Sequence, residues 1–254
     1  MAESDSPYPP APWRLRGWGA ATAHAVDISR VGRVMPKGVH IVPVWPGKTL
    51  GGIAFLSYER GSTLVYHELC IVAALVRVGR RFGFWLPHLD VDNDAPLEGG
   101  RTIWGLPKRI AAFELDQTAR QLKVTVREAE RLLCLLAIRD ARVSRWFGLP
   151  SLVPLPAVSL CGGRARFFTA RFAGRIAPAH VTVEAPPDGP IAALGLRGRP
   201  LLTVRFNDLR LTVPPPHADI PLPVTQTLHE TSRDRHRSRY RGWVRVVRSG
   251  KRAP

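Results

Sequence analysis

Cysteine, methionine and lysine are all scarce in this chain of 254 residues, with three, two and five copies. Cys70, Cys134 and Cys161 stand far apart with no C-x-x-C pair, so spacing encodes neither a disulfide framework nor a thiolate metal site. Small apolar core positions are their expected use. His217, His229 and His236 have no ligand spacing with carboxylates or cysteines, and no metal is expected. No uninterrupted apolar run reaches the roughly 20 residues of a membrane-spanning helix; Arg77, Arg80 and Arg81 break the best candidate. The opening segment MAESDSPYPPAPWRLRGW is acidic and proline-rich, without the basic and apolar regions of a secretory signal. These absences lead to the expectation of a cytoplasmic protein with no membrane partner.

What is abundant is arginine. Lysine and arginine total 37, so arginine accounts for 32, and the formal net charge is +17. Such a charge raises the question of a nucleic-acid partner. Arg, Ala, Gly and Pro are all encoded by GC-rich codons, however, and a biased genome produces this skew with no anionic partner. Residues 230–254 carry nine Lys or Arg with Tyr240 and Trp243 among them. They read as a basic tail, solvated rather than a nucleic-acid arm; no RNP-like aromatic pattern accompanies them.

Prolines at 7, 9, 10 and 12 mark residues 1–12 as a flexible lead-in. Beyond it, short apolar runs alternate with Gly and Pro punctuation: His40–Val44, Gly52–Tyr58, Thr63–Leu69, Phe82–Leu86. The run Gln121–Arg127 alternates polar and apolar residues, as a half-buried strand does. Ala165–Phe172, Val181–Glu184 and Leu201–Leu211 continue the rhythm. Many short strands suggest a barrel or sandwich rather than a βαβ fold. Leu69–Val78 and Ala129–Val143 read equally as helix or strand. No repeat or domain-scale linker interrupts the chain, so a single domain over 13–229 is expected between lead-in and tail.

The informative stretch is Tyr66–Leu115. One of the rare lysines, Lys108, sits among Ile103, Trp104, Leu106, Ile110, Ala111 and Phe113. An apolar surround penalises an ammonium, and an amine freed of its proton attacks carbonyl carbon. The competing use of such a residue is a snorkelling strand-edge lysine with its head in water.

The order and spacing of Asp92-Asn93, Gly100-Arg101 and Trp104-Gly105-Leu106-Pro107-Lys108-Arg109 resembles the signature of the acetoacetate decarboxylase-like superfamily. Tyr66-His67-Glu68 matches that family's Tyr-x-Glu, and Val34-Met35-Pro36 resembles the proline following its first helix. The outline of lengths fits from about Trp13 to His217. The resemblance implies a mainly β (α+β) fold: an antiparallel β-barrel with a few peripheral helices, assembled as a homo-oligomer. It implies a cofactor-independent lyase in which Lys108 forms a Schiff base with a keto acid or related carbonyl substrate. Glu68 would move protons and Arg109 would stand for the second lysine of the motif. Trp104, Leu106 and Arg101 would border the substrate.

The same resemblance implies two reaction branches, decarboxylation or aldol condensation with dehydration of a larger keto acid. A non-catalytic barrel binding a small ligand or nucleic acid is the alternative outside enzymology. The departures bear on the choice. A second family glutamate would fall near Ile53, where none stands, and the family's amino-terminal arginine has no counterpart beyond Arg14 or Arg16. His67, next to Glu68 on a strand, should point to the opposite face. Asp90, Asp92 and Asp94 alternate as in a cation site, but the motif accounts for Asp92-Asn93 structurally. Gly99-Gly100 reads as a tight turn.

Overall fold

The computed structural model of the chain describes residues 6–119, 121–141, 145–196 and 198–223. The basic segment 230–254 lies outside the described residues. The chain opens with β1 (Trp13–Asp27), a single helical turn α1 (Ile28–Val31) and a 3-10 turn, Gly32–Val34. Strands β2 (His40–Ile41), β3 (Lys48–Tyr58), β4 (Tyr66–Val72), β5 (Ala74–Val78), β6 (Arg81–Trp85) and β7 (His88–Val91) follow. The one helix longer than a turn among the described residues is α2 (Asp94–Trp104), leading into β8 (Lys108–Ile110). After it come β9 (Ala112–Gln117), β10 (Leu122–Glu128), β11 (Arg131–Asp140), β12 (Phe147–Cys161) and β13 (Arg164–Glu184). A short α3 (Pro190–Ala193), β14 (Leu202–Val213) and β15 (Ala218–Pro221) complete the described chain.

Both ambiguous segments are strands. Leu69–Val78 divides at Ala73 between β4 and β5, and Ala129–Val143 contains β11, with Leu133, Leu136 and Ile138 buried. Pro36 follows the first helical turns, as the resemblance implied. Ala165–Phe172 and Val181–Glu184 are not separate strands but halves of β13. At Gly174, whose φ is +150°, the register against β14 slips between Ala173 and Arg175. A bulge there lets one strand bend while continuing its ladder. Its first part pairs with β12, and its end, Ala179–Glu184, with β11.

The strands follow the order β2-β5-β6-β12-β13-β14-β1-β3-β4-β7-β8, with the meander β9-β10-β11 attached through β11 to β13. This corrects the expected antiparallel barrel: the sheet is mixed and its path does not close. Most pairs are antiparallel, but β6 with β12 and β7 with β8 run parallel. The second case has a direct cause. A parallel neighbour needs a crossover connection, and α2 supplies it between β7 and β8.

Strand alternation divides the buried side chains into two cores. On β3, Ile53 and Phe55 join Leu69 and Ile71 of β4 in one core, which includes Val124, Val126 and Leu136 of the meander. Tyr58, Tyr66, Trp13, Trp104 and Phe168 belong to the other. This second core surrounds a cavity.

Candidate active site

The segment from Asp92 to Lys108 is built from local capping and close packing. Asp92 accepts the backbone N–H of His67 at 2.9 Å and lies 2.6 Å from its Nδ1. Burial alone would raise the Asp92 carboxyl, but the His67 hydrogen bonds and charge outweigh it and hold the pKa below the ordinary value. Asn93 caps α2, its Oδ1 accepting the N–H of Ala95 at 3.0 Å, and Gly105 ends the helix in the left-handed region at φ 66°. The Asp-Asn pair is therefore structural: one residue ties β7 to β4 and the next starts the helix.

Gly99 and Gly100 are not a turn. Both lie within α2, where a Cβ at Gly99 would come 2.5 Å from the ring of Trp13. One at Gly100 would come 2.6 Å from Cδ of Lys108. The motif loop is anchored by Trp104, whose indole N–H donates to Pro214 O at 2.7 Å, and by the Ser159 hydroxyl, which donates to Gly105 O. Arg101 donates twice to the backbone carbonyl of Lys108, at 2.9 and 2.6 Å.

The Lys108 side chain is buried, and its Nζ lies 2.6 Å from Oε1 of the buried Glu68. The Tyr58 hydroxyl donates to the other carboxylate oxygen, Oε2, at 3.1 Å. The amine also lies 5.1 Å from the centre of the Tyr66 ring and 5.8 Å from that of Trp13, distances at which ring faces attract a cation. Burial, then the Glu68 charge, pushes both tyrosine hydroxyls well above their ordinary pKa, so they remain donors. Burial likewise pushes the neighbouring Cys70 thiol up, keeping it protonated. The snorkelling alternative for Lys108 is thus overturned, since its head is inside.

The pair opens onto a cavity of about 360 Å³. Its sides come from β1 and β3 (Ala21, Ala23, Gly52, Ala54, Leu56), from β13 (Phe168, Ala170, Phe172) and from β14 (Phe206, Leu209, Leu211, Val213). Trp104 and Leu106, which the resemblance would place beside the substrate, line this cavity. Among the described residues, Glu68 and Lys108 are the only charged groups of the lining.

Several expected site residues are elsewhere. Arg109 follows Lys108 on β8, so alternation turns it to the other face; it is exposed and pairs with Glu128 at 3.5 Å. Arg101 is exposed and supports Lys108 from behind rather than lining the cavity. Arg14 and Arg16 alternate with the buried Trp13 and Leu15 and also face outward. On β3 the cavity-facing position is Ala54, not Ile53, which lies in the other core; neither offers a carboxylate. His67 faces away from Glu68, as expected, and packs against both Phe55 and Phe113, which also touch each other. Asp90 is buried beside His88, at 2.8 Å, and Asp94 lies in the first turn of α2, so the three acidic residues diverge. Tyr58 was not singled out by sequence. Its signal was parity: it is the strand partner of Tyr66, which shares a face with Glu68.

The family model described as acetoacetate decarboxylase (ADC) matches residues 2–139. The chain is also similar to protein NEOXANTHIN-DEFICIENT 1 of Arabidopsis thaliana, 30% identical over 114 residues, 45% of this chain and 40% of that protein. The protein of the same name from Solanum lycopersicum is 30% identical over 112 residues, 44% of this chain and 38% of that one. The matches to these curated relatives thus span about two fifths of their length. Among solved structures, acetoacetate decarboxylase from Legionella pneumophila subsp. pneumophila str. Philadelphia 1 superposes with a TM-score of 0.65 at 18% identity, over 86% of this chain and 92% of that one. The enduracididine biosynthesis enzyme MppR, complexed with the condensation product of pyruvate and imidazole 4-carboxaldehyde, gives 0.61 at 17% identity, over 86% and 92%. At such identities the shared feature is the fold.

Proposed function

This chain belongs to the acetoacetate decarboxylase family, and from that premise we propose that it is a cofactor-independent lyase using Lys108 to form a Schiff base with a carbonyl substrate. The observation that carries the reading is the 2.6 Å approach of Lys108 Nζ to Glu68 Oε1 inside an otherwise apolar cavity. An amine and a carboxylate in contact share one proton between them. With the proton on Glu68, the amine adds to the carbonyl carbon and Glu68 protonates the oxygen, giving a carbinolamine. Nitrogen then loses one hydrogen to the departing hydroxyl through the carboxylate, water leaves, and an iminium faces a carboxylate. Charge is conserved throughout, and the pair supplies every proton required.

The iminium is an electron sink. A neighbouring bond breaks to leave an enamine, which is reprotonated before water releases the product. Decarboxylation of a keto acid and aldol condensation with dehydration share these steps and differ in what is attached next to the carbonyl. The absence of an arginine or a second carboxylate from the cavity lining, among the described residues, favours the aldol-dehydration branch, which needs neither at the reacting carbon. The three cysteines are all free thiols, in keeping with a reducing compartment.

Borohydride reduction tests the reading. Hydride adds to the iminium carbon and leaves a stable secondary amine, so incubation with a panel of keto acids and ketones should give one adduct, mapped to Lys108. Adducts confined to Lys37, Lys48 or Lys123, or none with any carbonyl compound, would defeat it.

A further inference from the structure

Resting on the Schiff-base reading, we propose that the substrate is an aldehyde or ketone with an extended apolar body and no ionised group. Charge is the first reason. Lys108 and Glu68 neutralise each other at 2.6 Å, and no other charged side chain among the described residues reaches the cavity. Arg14, Arg16, Arg101, Arg109, Arg171 and Arg210 are exposed, and the half-buried Arg205, beside the lining residue Phe206, pairs with Asp140 at 2.6 Å. Once the imine forms, its positive charge is still matched by Glu68. A substrate carboxylate would be a second anion with no partner, and an unpaired buried charge is strongly disfavoured.

The walls are the second reason. Beyond the pair, β1 and β3 present small residues directly opposite one another, Ala21 against Ala54 and Ala23 against Gly52. Their missing side chains make the room, and large apolar residues, Phe168, Phe172, Leu209 and Leu211, line it from β13 and β14. At about 30 Å³ for each water-sized group, 360 Å³ holds about a dozen such groups. A three- or four-carbon keto acid would leave much of that space unfilled. A medium-length apolar chain would fill it and bury its own surface in doing so.

The polar groups are the third. Apart from the charged pair, the lining offers the Tyr58 and Tyr66 hydroxyls, the Cys70 thiol, and two indoles of which both N–H groups are engaged by backbone carbonyls. Tyr58 is already committed to Glu68. The recognition chemistry is therefore concentrated at the carbonyl end, with nothing to orient a polar tail.

The experiment compares 2-decanone, acetone, pyruvate and acetoacetate as borohydride-trapped adducts of the full chain, read by intact mass at equal concentration. Each buried methylene favours binding, so 2-decanone should label Lys108 at least about tenfold more than acetone or either keto acid. The variant Ala54→Leu, which narrows the wall opposite Ala21, should cut 2-decanone labelling by at least about fivefold more than it cuts acetone labelling. Retained acetone labelling also reports that the variant is folded with a working amine. Pyruvate or acetoacetate labelling as strongly as 2-decanone would overturn the proposal, as would an equal loss of acetone and 2-decanone labelling in the variant. If no carbonyl compound labels, the Schiff-base reading fails, and the ligand class is then read from displacement of the neutral fluorophore N-phenyl-1-naphthylamine. Displacement by 2-decanone but not by 3-oxodecanoate supports an uncharged apolar ligand; equal displacement by both overturns it.

Discussion

Gly100 lies flat against the stem of Lys108: a Cβ at this position would come 2.6 Å from Cδ and 2.7 Å from Cε. Helix α2 therefore forms one wall of the sleeve that aims the amine at Glu68, while Arg101, the next residue, holds the Lys108 backbone carbonyl from the other side. Two adjacent motif residues thus position one lysine from its stem and from its backbone.

Replacing Gly100 with Ala should disturb that aim more than the fold. The methyl meets an aliphatic stem that can shift, and alanine suits a helix better than glycine. A misplacement of this size near reacting atoms can cost about 10²-fold, so the rate of imine trapping should fall towards that range while the melting temperature changes little. An unaltered trapping rate would show that the stem has room the packing does not suggest.

Glu68→Gln keeps the shape of the side chain and removes its charge. Loss of general acid–base assistance should reduce turnover by about 10²–10⁴-fold, with Lys108 still able to be trapped, though slowly. Turnover within a few-fold of the parent, measured beside an unchanged melting temperature, would reduce Glu68 to a structural ion-pair partner.

Asp92→Asn should weaken the tie between β7 and β4. Both contacts are solvent-exposed, and an exposed charged pair is worth about 0.2–1 kcal/mol, so a loss of that order in urea unfolding is expected. Because the Asp92 pKa is lowered in the native state, its contribution is complete above the ordinary value of 3.8 and disappears as pH falls through the native one. The stability of parent and variant should therefore converge at low pH; a constant difference down to about pH 2 would contradict this origin.

His24 gives a second, separate pH response. It is buried, with Nε2 2.9 Å from the Thr22 hydroxyl, and burial lowers its pKa below the ordinary 6.5. A lowered histidine stabilises the neutral native form fully above pH 6.5 and loses that contribution as pH falls from there towards the native pKa, because the unfolded chain takes up the proton first. Melting temperatures between about pH 8 and 5 should decline more steeply in the parent than in His24→Gln. Parallel curves would assign the slope to other groups.

The resemblance of Tyr66-His67-Glu68, Asp92-Asn93 and Trp104–Lys108 to the family signature was what pointed to the amine, its carboxylate and the apolar neighbours Trp104 and Leu106; composition alone left Lys108 equally open to a strand-edge use. Period-two alternation was enough to separate His67 from Glu68, because neighbouring residues on a strand face opposite ways. The same rule applied to Lys108 would have turned Arg109 outward, but only once that segment was known to be a strand. A mixed, open sheet was not legible, since pairing partners such as β6 with β12 are far apart in sequence and the bend of β13 at Gly174 depends on a ladder rather than on local composition. Which side chains face the cavity was decided by that pairing. Register set Ala54 opposite Ala21 and Glu68 beside Leu56, and packing set the small residues where they leave space. A sequence specifies side chains one at a time, whereas a cavity and its balance of charge exist only between strands brought together from across the chain.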